Sequence, residues 1–194
     1  MLQRLSEQFT DFLLMKEIIE NENREIYEYG LVALFSTAIN IIVVLTIGII
    51  AGLILESMFF ILMFGVIRIY SGGYHAESHI SCVLIFVGFY CASMAVAKFL
   101  PVEMGNVFSL SAGIISFAII LYLAPVEHKN KPFIEGEQRK FQILSRAIAS
   151  VEFMGICLIT VFFYEAIKAA VIISLAMLCV AFTLILAKAT EIRR

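Results

Sequence analysis

Long apolar runs separated by short polar breaks make up most of the chain. Six of these runs approach or reach the roughly 20 residues that a helix needs to cross a bilayer. They cover approximately residues 29–48, 53–70, 81–100, 107–124, 147–164 and 169–187. This pattern predicts an all-α, polytopic membrane protein with about six transmembrane helices.

Residues 1–28 have a different pattern, in which apolar positions recur every three or four residues among charged and amide side chains. The apolar positions are Leu2, Leu5, Phe9, Phe12, Leu13 and Ile19. Such a segment is too polar to span, and it favours an amphipathic helix in the membrane interface. A docking surface for a partner helix is the alternative. We therefore expect one integral-membrane domain over 1–194, with an interfacial helix at 1–28 and a six-span bundle at 29–194.

Composition supports a membrane protein and excludes several other classes. Hydrophobic residues are 61% of the chain and charged residues 15%, whereas a soluble domain has about 25% charged residues. No basic run with interleaved aromatic residues suggests a nucleic-acid surface. The four cysteines include no Cys-x-x-Cys pair, which argues against a disulfide framework or a thiolate metal cage.

The distribution of basic residues predicts the orientation. With six spans, both termini and the loops at 70–80 and 125–146 share one side of the membrane. That side has twelve of the 14 lysines and arginines, and the other side has only Lys98 and Lys168. By the positive-inside rule, both termini and both loops are expected to be cytoplasmic.

A polar cluster at residues 68–82 interrupts the pattern between the second and third runs. Polar groups are costly to bring to a membrane, so the cluster indicates a function. Its cysteine is expected at the start of the third span, where the helix dipole and free N–H groups favour a thiolate. The paired glycine permits tight turns or close backbone approach. The arginine can hold a substrate carboxylate or a loop carboxylate such as Glu77. These candidates are Arg68, Gly72, Gly73, His75, His79 and Cys82.

Helix geometry leaves the choice of a catalytic base open. If 75–82 were one continuous helix, His75 would lie about 10 Å from Cys82 along the axis, too far for a hydrogen bond. His79, three residues before Cys82, would be a direct neighbour. A His75–Cys82 pair therefore requires the helix to begin after His75. A metal site on His75, His79 and Cys82 is an alternative, but the signatures of zinc peptidases are absent. The cluster can also be an ordinary solvated loop.

Two motifs resemble the AgrB (accessory gene regulator protein B) family of bacterial quorum-sensing peptidases. The first is Arg68 followed by Gly72-Gly73-Tyr74-His75-Ala76 and then Cys82. The second, Tyr122-Leu-Ala-Pro-Val-Glu-His-Lys-Asn-Lys-Pro132, is similar to that family's span-ending proline and basic stretch. The resemblance implies a cysteine endopeptidase of the bacterial cell membrane, with His75 as the catalytic histidine and Cys82 as the nucleophile. It implies no cofactor.

The resemblance also implies the substrate and the reaction. Family members cut the C-terminal tail from a small, AgrD-like precursor peptide with an amphipathic N-terminus and help to close a thiolactone or lactone ring. A homodimer is expected. Lys129 and Lys131 in the basic loop can attract an acidic precursor tail, or they can serve orientation alone. A third catalytic residue is open, with Glu56, Glu77 and Glu152 as candidates.

A transporter without covalent chemistry is the competing hypothesis. Intramembrane polar residues often line transport pathways, and the chain has three such residues: Asn40, Glu56 and Glu152. The low number of charges and the lack of an interrupted helix pair argue against this function.

Overall fold

The computed structural model describes residues 2–73, 79–127 and 136–192; within these, the side chains of His79, Ile80, Glu191 and Ile192 are not described. The described residues form seven α-helices and two short 3-10 helices. The 3-10 helices are Asn21–Asn23 and Tyr164–Ala166. The α-helices are α1 (Leu2–Met15), α2 (Arg24–Ala51), α3 (Ile54–Ser71), α4 (His79–Phe99), α5 (Val102–Leu123), α6 (Glu137–Phe162) and α7 (Ile167–Ile192).

Helices α2 to α7 are each long and apolar enough to cross a membrane. The prediction of an all-α protein with six spans is therefore confirmed. Their outer surfaces carry large exposed apolar side chains, such as Ile50 and Tyr122, which are 82% and 88% exposed. In a bilayer these side chains contact lipid at no cost, because lipid tails are as apolar as the side chains themselves.

Three predicted boundaries differ from the structure. The N-terminal amphipathic helix ends at Met15 rather than near residue 28, and α2 already begins at Arg24. Helix α6 begins at Glu137, ten residues before the predicted span, so the end of the predicted loop is helical. Of the predicted break at 101–106, only Pro101 lies outside the helices, as the N-cap of α5, which begins at Val102. Hydropathy detects the apolar part of a helix, whereas its polar turns continue beyond that part.

Helix α1 packs against α2. Ser6 and Thr10 are fully buried, and each hydroxyl donates to the carbonyl of the residue four positions earlier, so the polar atoms are satisfied within the helix. Phe9 and Phe12 are each 47% exposed. About half of each ring is therefore open to the surroundings, and Phe9 also meets the ring of Phe35 on α2 edge to face at 6.3 Å.

Helix α7 is the central helix of the bundle. In the most apolar stretch of α7, 72% of the residues are buried. In the corresponding stretches of the other five spans the buried share is 17–28%. One face, which includes Met177 and Leu184, packs on α3, α5 and α6. The other face, which includes Ile172 and Leu175, packs on α3 and α4 in a cluster that also contains Val44 of α2. Every other span therefore keeps a lipid-facing side, while α7 has almost none.

Small residues on α5 allow it to approach α7 and α6 closely. A Cβ at Gly105 would lie 2.7 Å from the side chain of Ile167, and a Cβ at Gly113 would lie 3.1 Å from Ile156. Ser109 and Ser116 are fully buried, and their hydroxyls donate to carbonyls of α5 itself. These serines therefore serve as small packing residues, as is common where membrane helices meet.

Candidate functional site

Two glycines end α3 in a conformation that other residues rarely adopt. Gly72 has φ +67° and ψ −147°, and Gly73 has φ +129°. Gly72 pairs with Val126 in an isolated parallel bridge, and the Val126 N–H donates to the Ser71 carbonyl at 3.0 Å. A Cβ at Gly72 would overlap the Val126 carbonyl oxygen. The sequence-based expectation of a tight turn with close backbone approach is confirmed.

Arg68 ties this turn to the central helix. Its Nη1 donates to the carbonyl of Gly72, one turn further along the chain, and to Oγ1 of Thr183 on α7 at 3.4 Å. A Cβ at Gly73 would overlap the guanidinium and lie 2.9 Å from the Thr183 hydroxyl oxygen. The second glycine is therefore required because the arginine passes where a side chain would be. Arg68 supports the turn, and the expected partner Glu77 lies outside the described residues.

Cys82 lies in the first turn of α4 and is half-buried. The first N–H groups of a helix have no partner within the helix and carry the positive end of its dipole, which favours a thiolate. The positive end of this dipole therefore lies at the one cysteine of the polar cluster.

The two histidines lie largely outside the described part of the chain. His75 is not described, and for His79 the structure gives only its backbone position, the first residue of α4. Residues three apart on a helix are neighbours, so His79 and Cys82 share one face of α4. The choice between the two histidines as base stays a prediction, and so does the metal alternative that needs both.

The two polar regions of the sequence meet at one end of the bundle. The Gly72–Val126 bridge joins the start of the 70–80 loop to the start of the 125–146 loop. On α6, Arg146 donates to the Leu121 carbonyl at 3.0 Å. The rings of Tyr70 and Phe141 are 5.9 Å apart, edge to face. The described ends of both regions therefore lie at the same end of the bundle. Lys129 and Lys131 are outside the described residues.

Of the three acidic candidates for a third catalytic residue, two are described and neither is near the turn. Glu56 forms an ion pair with Lys168 at 3.1 Å, near the other end of α3 and about 18 Å along the axis from Arg68. Glu152 lines a cavity between α3, α6 and α7. Glu77 lies outside the described residues. No residue of α2, which carries Asn40, lines that cavity, so the three polar residues of the transport hypothesis do not share it.

Sequence reasoning missed Thr183 and Val126 as parts of the site. Thr183 is 115 residues from Arg68 and lies inside an apolar run. Its hydroxyl also donates to the Val180 carbonyl, the usual way for a threonine to satisfy itself in a membrane helix. A polar residue in the last span was visible, but nothing in the sequence connects it to the arginine. Val126 acts through its backbone and therefore leaves no signal in its side chain.

Comparison with known proteins gives a consistent result. The chain matches the family profile described as Accessory gene regulator B over residues 6–184. A Clostridium perfringens strain 13 protein named as AgrB-like protein 2 is 33% identical over 146 residues, which are 72% of this chain and 67% of that protein. A protein of strain SM101 named as AgrB-like is 33% identical over 145 residues, with the same two coverages. No solved structure gives a significant match.

Proposed function

Because the chain belongs to the accessory gene regulator B family, we propose that it is a membrane-embedded cysteine endopeptidase that acts on a small precursor peptide. The enzyme removes the C-terminal tail of the peptide and promotes closure of a thiolactone or lactone ring, which forms a quorum-sensing signal. The observation that carries this proposal is the position of Cys82, half-buried in the first turn of the membrane helix that follows the Gly72–Gly73 turn.

The first step is attack by the Cys82 thiolate on a peptide carbonyl of the precursor. The histidine base takes the thiol proton of Cys82 and thereby forms the thiolate. Free N–H groups in the first turn of α4 are suited to stabilise the oxyanion that develops. A protonated histidine, His75 by family resemblance or His79 by helical spacing, delivers its proton to the departing amine. The C–N bond breaks, the tail leaves, and an acyl-enzyme remains.

The second step closes the ring. The histidine, neutral after the first step, takes the proton of a thiol or hydroxyl of the bound peptide as that group attacks the acyl-enzyme carbonyl. The Cys82 thiolate then leaves and is regenerated. Water would give a linear acid instead, so the site must exclude it. The half-buried position of Cys82 supports such exclusion. The Arg68–Gly72–Thr183 contacts hold the turn that precedes the nucleophile in the chain.

Substrate and orientation follow from charge. The even number of spans and the excess of basic residues on one side support a cytoplasmic location for both termini and the site. The substrate is then an AgrD-like peptide whose amphipathic N-terminus lies on the same membrane surface. Lys129 and Lys131 attract its acidic tail. The functional unit is expected to be a homodimer.

The proposal is tested by coexpressing the chain with candidate precursors and weighing the products. Cys82→Ala should abolish tail removal, because no other group replaces the thiolate. Cys91→Ala is the matched control, since Cys91 is an exposed cysteine on the same helix and should be dispensable. Cleavage that persists in Cys82→Ala would overturn the proposal.

The catalytic base is assigned by comparing His75→Ala with His79→Ala. Loss of cleavage in the first variant alone supports the role that family resemblance suggests. Loss in the second alone would transfer the role to His79, the neighbour of Cys82 on α4. Transport of a solute by the reconstituted protein, unaffected by thiol alkylation, would favour the transporter hypothesis instead.

A further inference from the structure

The apolar stretches of α4 and α6 are short for a membrane span. On α4, Lys98 follows Cys82 by 16 residues, about 24 Å along the axis. On α6, the helix ends at Phe162, 16 residues after Arg146 and again about 24 Å away, and the one ionisable residue between them, Glu152, is buried. The hydrocarbon core of a typical bilayer is about 30 Å thick. Both helices therefore fall about 6 Å short of it, and any tilt increases the shortfall.

Helix α3 has the same short length, which its two charged residues determine. Glu56 lies near the start of α3 and forms the ion pair with Lys168. At the other end, the Arg68 guanidinium donates to the Gly72 carbonyl, so its charge lies about one turn beyond the arginine backbone. From Glu56 to Gly72 the axis measures about 24 Å. Since α3 packs against α6, the two short spans are neighbours in the bundle.

The other three spans are long enough for an ordinary bilayer. Helix α5 has no charged residue from Glu103 to its end at Leu123, about 30 Å, and Lys168 and Lys188 on α7 are also about 30 Å apart. Helix α2, with 28 residues, is longer still. Each short helix meets lipid through large apolar side chains that are more than half exposed, among them Leu62, Leu84 and Val151. The shortfall is therefore local to the lipid around α3, α4 and α6.

Polar groups fix the ends of these helices that lie away from the candidate site. Lys98 is exposed near the end of α4, and the Glu56–Lys168 ion pair lies near the start of α3. Charged groups are costly within hydrocarbon, so these ends stay at their own membrane surface. Tyr164, exposed in the turn after α6, has the amphipathic ring that is typical of a membrane interface. The shortfall therefore falls at the opposite end of the bundle, where the candidate site lies.

We propose that the bilayer is locally thinned by about 6 Å around α3, α4 and α6, and that this thinning brings Cys82 to the level of the lipid headgroups. Without thinning, Cys82 and the Arg68 charge would lie within hydrocarbon, where polar groups are costly. An amphipathic peptide lies at the headgroup level, so the thinning gives a precursor access to Cys82. The thinning itself does not depend on the proposed peptidase activity, whereas its effect on cleavage rests on that proposed function.

The experiment measures how fast a charged, water-soluble maleimide labels Cys82 in lipid nanodiscs, in which both faces of the membrane are open to water. The full chain is used, with the other three cysteines replaced by alanine. The nanodiscs contain phosphatidylcholine with myristoleoyl, oleoyl or erucoyl chains, which give a thin, an intermediate and a thick bilayer. We expect the labelling rate to fall about fivefold from the thinnest to the thickest bilayer, because the cost of thinning rises with the mismatch.

Three variants connect the labelling to the length of the helices. Glu20→Cys, in a chain without other cysteines, places the thiol at an exposed position between α1 and α2, and its labelling should be the same in all three bilayers. Lys98→Leu removes the charge that holds the far end of α4 at its surface. That end can then sink into a thick bilayer, so labelling of Cys82 should fall only about twofold. Lys16→Leu removes the same charge outside the spans and should keep the fivefold fall.

Equal labelling of Cys82 in the three bilayers would overturn the proposal, and so would an equal fall in Lys98→Leu and Lys16→Leu. Cleavage of a coreconstituted precursor is then measured in the same nanodiscs with all four native cysteines present. Cleavage that falls in parallel with labelling supports the effect on the reaction, and cleavage that is equal in the three bilayers overturns that effect. If labelling falls as expected but no bilayer gives cleavage, the thinning stands and the proposed function fails.

Discussion

Replacing Gly72 with alanine tests whether contact with Val126 holds the turn after α3. At φ +67° and ψ −147°, Gly72 occupies a region that costs other residues about 1–3 kcal/mol. The added Cβ would overlap the Val126 carbonyl oxygen, a backbone atom that cannot rotate away. If Val126 moves away, the hydrogen bond that its N–H donates to the Ser71 carbonyl breaks, at a cost of about 1 kcal/mol. We therefore expect Gly72→Ala to lower the unfolding free energy by about 2–4 kcal/mol.

Two other glycines separate strain from contact. Gly52 has a similar φ of +69°, but a Cβ there would meet nothing within 4 Å. Gly52→Ala should therefore cost only the left-handed conformation, about 1 kcal/mol. Gly30 lies inside α2 with open space around it, and Gly30→Ala should be neutral or stabilise the helix by up to about 1 kcal/mol.

The assay is thermal unfolding in detergent, followed by the reaction of a maleimide dye with buried Cys179. The other three cysteines are replaced by alanine, so that the dye reports on the core of α7. The midpoint temperature should fall roughly two to four times as far for Gly72→Ala as for Gly52→Ala. Equal falls would refute the reasoning, because the Val126 contact would then add nothing to the backbone strain.

Three further experiments test contacts between helices. Thr183→Val removes an acceptor of the α3 arginine and should reduce precursor cleavage about tenfold, the scale of a hydrogen bond to a charged group. Thr160→Val is the control, because the Thr160 hydroxyl donates only to carbonyls of its own helix, and this variant should cleave the precursor normally. An equal loss of cleavage in the two variants would contradict a role for the arginine contact. Tyr90→Phe removes a buried 2.6 Å hydrogen bond to the α3 serine and should lower the unfolding free energy by about 1 kcal/mol in the same dye assay. A double-mutant cycle on Glu56→Ala and Lys168→Ala should give a coupling free energy of about 0.2–1 kcal/mol for the ion pair. This coupling should fall as salt is added. A coupling that is insensitive to salt would show that the pair is shielded from water.

The location of the candidate site was largely predictable from the residues. Arg68, the paired glycine and Cys82 stand out because the surrounding chain is apolar, and polar groups near a membrane need a reason. The paired glycine also predicts an unusual backbone, and both positions have positive φ. What these residues contact was not predictable, because Val126 follows α5, Thr183 lies within α7, and only helix packing brings both to the turn.

The start of α6 shows a limit of hydropathy. Residues 137–146 are polar, and a pattern based on apolar runs assigns them to a loop. They are helical because helix formation requires only satisfied backbone groups and adequate propensity, and Glu, Gln, Arg and Lys are good helix formers. The apolar run marks the part of a helix that fits within the lipid, and the helix itself extends beyond it.

The number of spans and the shared side of the two polar loops were determined by the sequence alone, because a bilayer requires about 20 apolar residues per crossing and an even count returns the chain to one side. The arrangement of the spans was decided only in the tertiary structure. In lipid, an apolar residue is equally stable facing a neighbour or the membrane, so α7 carries no periodic signal of its central position. The same holds for Glu152, whose depth the sequence shows but whose cavity exists only where α3, α6 and α7 meet.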